Sequence, residues 1–148
     1  MTVLVYIAIF LTVLYMFFGT WFYGTRNSLS KLGVDWNKWL FLLYMWAQAL
    51  LVAPVMFDAT PDNMQWIVFF VIIGLALTGG ASIDNKDDLK YHYIGAAIAC
   101  VFSVVWIILT NPFMLIIPVI LVCSGGYDKI QWNGEVGIIT AVYMTLLC

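Results

Sequence analysis

Four stretches of the chain carry no charged residue and are long enough to cross a bilayer: Val3–Tyr23, Trp39–Phe57, Trp66–Ile83 and Tyr93–Thr110. A hydrocarbon core about 30 Å thick takes roughly 20 apolar residues in helical form, because in lipid every backbone N–H and C=O must be paired within the segment. Each stretch therefore predicts a spanning helix. Asn111-Pro112 then interrupts a run that would otherwise continue to Cys123. Proline lacks an N–H and drives the residue before it out of the helical region, which predicts a tight turn. A short fifth segment, Phe113–Cys123, follows, and then a sixth, Val136–Cys148, which is longer only if it begins near Trp132. Both read as tilted, thinly spanning helices or as a re-entrant pair packed against the other four. The predicted fold class is all-α: a single-domain, polytopic transmembrane helix bundle over residues 1–148, with four strong spans and two short ones.

Composition strengthens this picture. Of 148 residues 64% are apolar, 17% aromatic and only 9% charged, whereas a soluble domain carries roughly 25% charged residues. A soluble globular domain is excluded. Six Lys and Arg against eight Asp and Glu leave a net charge of −2 and no basic stripe, so no nucleic-acid partner is expected. The cations also set the topology. Arg26, Lys31 and Lys38 fall in the first loop, Lys86 and Lys90 in the third and Lys129 in the fifth, while the second and fourth loops have none. With six spans all of them share one side, which the positive-inside rule makes cytoplasmic, and both termini then lie outside. No cation precedes the first run and no small-residue cleavage site follows it, which predicts a retained span. Trp21, Tyr23, Trp36, Trp39, Trp66, Tyr91, Tyr93 and Trp132 fall near predicted ends, as interfacial anchors do. Pro54 and Pro118 are candidate kinks in the second and fifth segments.

Few residues could carry chemistry. Gln48 is the amide deep in a strong span, either lining a cavity or making an interhelical hydrogen bond, and the second reading is preferred. Gly95, Ala99 and Ser103 recur every four residues on the fourth span and predict close packing on the third, which carries Gly74, Thr78, Gly79 and Gly80. Asp84-Asn85-Lys86-Asp87-Asp88-Leu89-Lys90-Tyr91-His92 is the densest polar run. Its three carboxylates and imidazole suit a divalent cation or acid/base work, but the spacing fits no EF-hand and a solvated hairpin loop accounts for it. His92, at the start of the fourth span, could reach back into the bundle. Glu135 suits a helix N-terminus and could pair with His92 if the last helix packs near the fourth. Ser28 and Ser30 could cap a short helix ended by Gly33, and no base accompanies either serine as a nucleophile would require. Cys100, Cys123 and Cys148 form no CxxC or Cys/His cluster, so no metal site and no cofactor are expected.

Two segments carry a resemblance. Arg26-Asn27-Ser28-Leu29-Ser30-Lys31-Leu32-Gly33 resembles the N-x-I-S-D-L-G loop of the damage-regulated autophagy modulator-like group and its bacterial, Bacteroidetes-type relatives. Gly79-Gly80-Ala81 through His92 to Tyr93-Ile94-Gly95-Ala96-Ala97 is similar to their G-x-F-P…H-x-x-x-A junction. The chain differs in Lys31, where the group has an acid, and in lacking a proline in the Asp84 loop. The resemblance covers about residues 20–110. It implies a five- or six-span bundle, singles out Ser30, Gly33 and His92, and points to the bacterial inner membrane.

The leading expectation is an integral membrane protein without a catalytic site, acting through helix packing with lipid, a second copy of itself or another membrane protein. One alternative is a transporter or channel subunit using Gln48. The other is a metal-dependent lipid hydrolase built on His92, Asp84, Asp87, Asp88 and Glu135.

Overall fold

The computed structural model describes residues 2–24, 28–29, 31–32, 37–81, 86–124 and 129–148, with 86 and 87 described in their backbone alone. The described residues form helices and turns without a strand. They are α1 (Thr2–Tyr23), α2 (Lys38–Asp58), α3 (Gln65–Gly80), α4 (Lys86–Thr110), α5 (Ile116–Ser124) and α6 (Ile130–Leu147). Four helical segments, Thr2–Tyr23, Lys38–Asp58, Asp62–Gly80 and Asp88–Thr110, are long and apolar enough to cross a membrane.

Local chemistry explains the boundaries. Asn37, with extended backbone, accepts the Trp39 amide on Oδ1 at 2.9 Å and starts α2. At the other end of α2, Thr60 donates its hydroxyl to the Met56 carbonyl, and a 3-10 turn at Asp62–Met64 leads into α3. Asn111 leaves helical geometry before Pro112, and a second 3-10 turn, Pro112–Leu115, enters α5. Pro118 lies in the first turn of α5, where its missing N–H costs no helical bond. Two boundaries differ from those expected. α4 begins at Lys86, so the polar run is helical from there on instead of forming a loop as far as His92. α6 begins at Ile130, which makes it 18 residues long, roughly 27 Å at 1.5 Å per residue.

The helices run up and down in a ring, α1 beside α2, α2 beside α3, α3 beside α4, and α6 closing the ring between α4 and α1; α5 packs on α6. One end gathers Val5, Met56, Ile67, Trp106 and Val142 into an apolar core, where the Trp106 indole N–H donates to the Thr60 hydroxyl at 2.7 Å. The other end, which holds Lys31, Lys38, Lys90 and Lys129, gathers Tyr15, Leu29, Leu32, Phe41, Tyr44 and Trp132. α6 thus follows α1 from Trp132, beside Tyr15, to Leu147, packed on the Val5 core. The outward faces are apolar: Phe10, Leu50, Phe69, Val101 and Ile120 are all exposed. Helices hydrophobic on every side need an apolar surrounding, which is a membrane.

Trp21, Trp39 and Trp66 are exposed near helix ends, in the manner of anchors, and Tyr91 and Tyr93 are exposed in the second and third turns of α4. Trp132 is not: it is only 9% exposed, because the early start of α6 brings it into the cluster of Leu29 and Leu32. Trp36 lies outside the described residues.

Candidate functional site

Besides the Trp106–Thr60 bond, three polar arrangements link segments among the described residues. The first joins α1, α2 and α6. Tyr44 and Tyr143 both reach the Thr12 hydroxyl, at 3.2 and 2.8 Å, Tyr143 donates to Gln48 Oε1, and Gln48 Nε2 donates to the Ala8 carbonyl at 3.1 Å. Each hydroxyl has one proton to give, and the Thr12 proton has two acceptors in reach, the Tyr143 oxygen at 2.8 Å and the Ala8 carbonyl at 3.0 Å, so the Ala8 carbonyl is shared by Thr12 and Gln48. The Gln48 amide is therefore spent on its neighbours in α1 and α6. Tyr44 also stacks on Tyr15, with ring centroids 4.2 Å apart.

The second arrangement joins α3 and α4. Gly74 and Gly95 face each other so closely that a Cβ built on Gly74 would stand 2.4 Å from the Ala99 nitrogen, and one on Gly95 2.7 Å from the Thr78 nitrogen. That approach brings His92 to the end of α3. Its Nδ1 lies 2.8 Å from the Thr78 carbonyl oxygen, one of the last carbonyls of α3, which has no amide beyond it in the helix. A carbonyl only accepts, so Nδ1 carries the proton and His92 caps α3.

The third lies at the cationic end. Ser28 Oγ accepts the Lys31 amide at 3.1 Å and opens a helical turn. The Leu29 amide, left without an acceptor in that turn, donates to Glu135 Oε2 at 2.8 Å, and Tyr15 donates to the Leu29 carbonyl at 3.3 Å. Gln131, one turn before Glu135 on α6, donates to Oε1 at 3.1 Å. Leu32 is buried against Gly19. Glu135 and the ring of His92 thus bond to different partners and do not pair with each other.

Glu135 borders a cavity of about 90 Å³ between α2, α3, α4 and α6, whose walls include Phe41, Leu75, Cys100 and Ser103. A second cavity of about 80 Å³ reaches Gln48 and Tyr143. The two share Met45, Leu75, Ser103, Ile138 and Ile139 in their walls, and so adjoin along one slot-like gap between the helices. Small side chains on α4, among them Ala96, Ala99 and Ser103, leave the space open.

Of the expected site residues, Gln48, Ser103 and Glu135 border this slot, Ala99 lies between it and α3, and Gly95 lies in the α3–α4 contact. His92 is tied to that contact from one turn earlier, and Asp88 is on the first turns of α4. Asp87 is described in its backbone alone. Ser30, Gly33 and Asp84 lie outside the described residues. Among the described residues no three His, Cys, Asp or Glu stand close enough to hold a metal ion. The sequence reading missed Thr12, Tyr15, Tyr44 and Tyr143, although Tyr44 precedes Gln48 by one helical turn and the three tyrosines fall away from the predicted interfaces.

The chain matches no family model, no curated protein and no solved structure.

Proposed function

We propose that the chain is a small multi-pass membrane protein of six crossings, with both termini outside, that acts by helix packing with lipid, with copies of itself or with another membrane protein. The observation that carries this reading is the commitment of Thr12, Tyr44, Gln48 and Tyr143 to one another across three helices. Polar side chains at such depth serve either a ligand path or helix association, and these serve association. The six-crossing topology is supported by the course of α6 along α1 and by the position of the described lysines at one end of the bundle, which the positive-inside rule makes cytoplasmic. The resemblance of the Arg26–Gly33 segment to bacterial relatives favours the bacterial inner membrane. His92 spends its Nδ1 proton on α3, and this favours a structural role over a hydrolytic one.

Two measurements test the reading. In single-cysteine variants labelled on intact cells with an impermeant maleimide, Asp62→Cys and the native Cys148 should react from outside, and Lys90→Cys and Lys129→Cys only after lysis. Reaction of Cys148 from the same side as Lys129→Cys would overturn the sixth crossing. Native mass spectrometry from nanodiscs should show an oligomer or retained lipid, and a lipid-free monomer would overturn the packing role.

A further inference from the structure

We propose that the slot between α2, α3, α4 and α6 binds a small organic ammonium, with its nitrogen at Glu135 and a short alkyl or aryl tail running toward Gln48. The inference goes beyond the packing role and rests on the interior of the bundle, whatever the number of crossings.

Size limits the occupant. The two adjoining cavities, about 90 and 80 Å³, together compare with an engineered cavity of about 150 Å³ that holds benzene. That admits a single ring or a chain of about six carbons. The walls select the tail, since Met45, Leu75, Ile138 and Ile139 offer apolar surface along its length and Ser103 adds a single hydroxyl.

The two ends differ in what they leave available. At the far end Gln48 carries no charge, and its Nε2 and Oε1 each hold a neighbouring helix, at Ala8 and Tyr143. At the near end Glu135 accepts from two neutral donors, the Leu29 amide and the Gln131 side chain. A carboxylate has about four acceptor positions, so these two leave room for more. Among the described residues no cation bonds to it, and a carboxylate at an apolar cavity is stabilised by an opposite charge. Phe41, across from it on α2, also lines this cavity, and an aromatic lining is compatible with a cation. A single carboxylate is a poor site for a divalent ion, which seeks six or more oxygens. An ammonium with an apolar tail uses both the charge and the walls.

Cys100 borders the same cavity and supplies the reporter. In a Cys123→Ser, Cys148→Ser background in phosphatidylcholine nanodiscs, intact mass follows the modification of Cys100 by methanethiosulfonates. The cationic 2-aminoethyl reagent should react about tenfold or more faster than the anionic 2-sulfonatoethyl reagent, as attraction to one charge and repulsion from the other imply. In Glu135→Gln, which keeps an acceptor for the Leu29 amide, that ratio should fall toward one while the rate with the neutral methyl reagent is kept. A competition on unaltered Glu135 needs no variant at the site: n-hexylammonium should slow the neutral reagent at concentrations where n-hexanol and hexanoate do not. Equal protection by hexylammonium and hexanoate, no protection by hexylammonium, or charge selectivity that survives Glu135→Gln would each overturn the proposal. Failure here leaves the topology labelling untouched, and the reverse also holds.

Discussion

The α3–α4 contact makes the sharpest quantitative prediction, because two glycines in one helix differ completely in their surroundings. A Cβ on Gly74 would meet the Ala99 nitrogen at 2.4 Å, the Ala99 Cα at 2.8 Å and the Gly95 carbonyl oxygen at 2.8 Å, while a Cβ on Gly80 would meet nothing within 4 Å. The atoms facing Gly74 belong to the backbone of α4 and cannot turn aside as a side chain would. Ordinary contact begins at 3.4 Å, so Gly74→Ala must push the helices apart locally by about 1 Å. A gap of that size forfeits about a quarter to a half of each dispersion contact it opens, and in a membrane such contacts are what hold helices together. Overpacking of this kind costs about 1–3 kcal/mol, or roughly a 5- to 150-fold shift in the unfolding equilibrium. Gly80→Ala should stay within about 0.5 kcal/mol of the parent. Reversible unfolding by sodium dodecyl sulfate in mixed micelles, followed by circular dichroism, compares the two directly. If Gly74→Ala unfolds together with Gly80→Ala and the parent, the close approach of α3 and α4 does not exist in the membrane and the reasoning fails.

Other perturbations read the polar arrangements. Gln48→Leu and Tyr143→Phe should each destabilise by about 0.6–1.7 kcal/mol, the double variant should lose less than the sum, and additivity would show that the two side chains do not bond. Thr60→Val and Trp106→Phe should behave likewise at the opposite end, with unfolding in the same micelles as the readout. Glu135→Ala should speed hydrogen exchange of the Leu29 amide by about tenfold or more, since a hydrogen bond to a carboxylate is lost, and unchanged exchange would remove Glu135 as its holder. His92→Leu should leave the Thr78 carbonyl uncapped and lower stability by about 1 kcal/mol, with Gln at that position restoring part of the loss if the bond to α3 is what matters.

The spans were legible in the sequence because the bilayer imposes a length and forbids charge, and both rules read directly from Val3–Tyr23, Trp39–Phe57, Trp66–Ile83 and Tyr93–Thr110. Helix starts were less legible. Lys86–His92 is polar enough for a loop, and its helicity comes from tertiary context, where His92 reaches the end of α3. Ile130–Glu135 likewise mixes polar and apolar residues, yet Trp132 is covered by Leu29 and Leu32, a contact between segments about a hundred residues apart that no local pattern announces. Tyrosine was the residue type most easily passed over. A hydroxyl at an interface meets water, whereas Tyr44 and Tyr143 lie where only other side chains can satisfy them, and pairing them required the positions of three helices.

The polar groups of the interior divide by whether their hydrogen-bonding capacity is used up. Tyr44, Thr12, Tyr143 and Gln48 form a run in which each hydroxyl proton has an acceptor and both polar atoms of Gln48 hold a neighbouring helix. His92 is held in the same way by a carbonyl that has no other helical partner. Glu135 differs because two neutral donors satisfy some of its lone pairs and leave its charge without a bonded cation among the described residues, and because it borders the slot instead of filling it. Desolvating a charge costs more than desolvating a neutral amide, so a side chain kept only to anchor Leu29 would be served at lower cost by glutamine. Among the described residues the Glu135 carboxylate is the acidic group bordering the slot, and its attraction for a cation is what the Cys100 reaction measures.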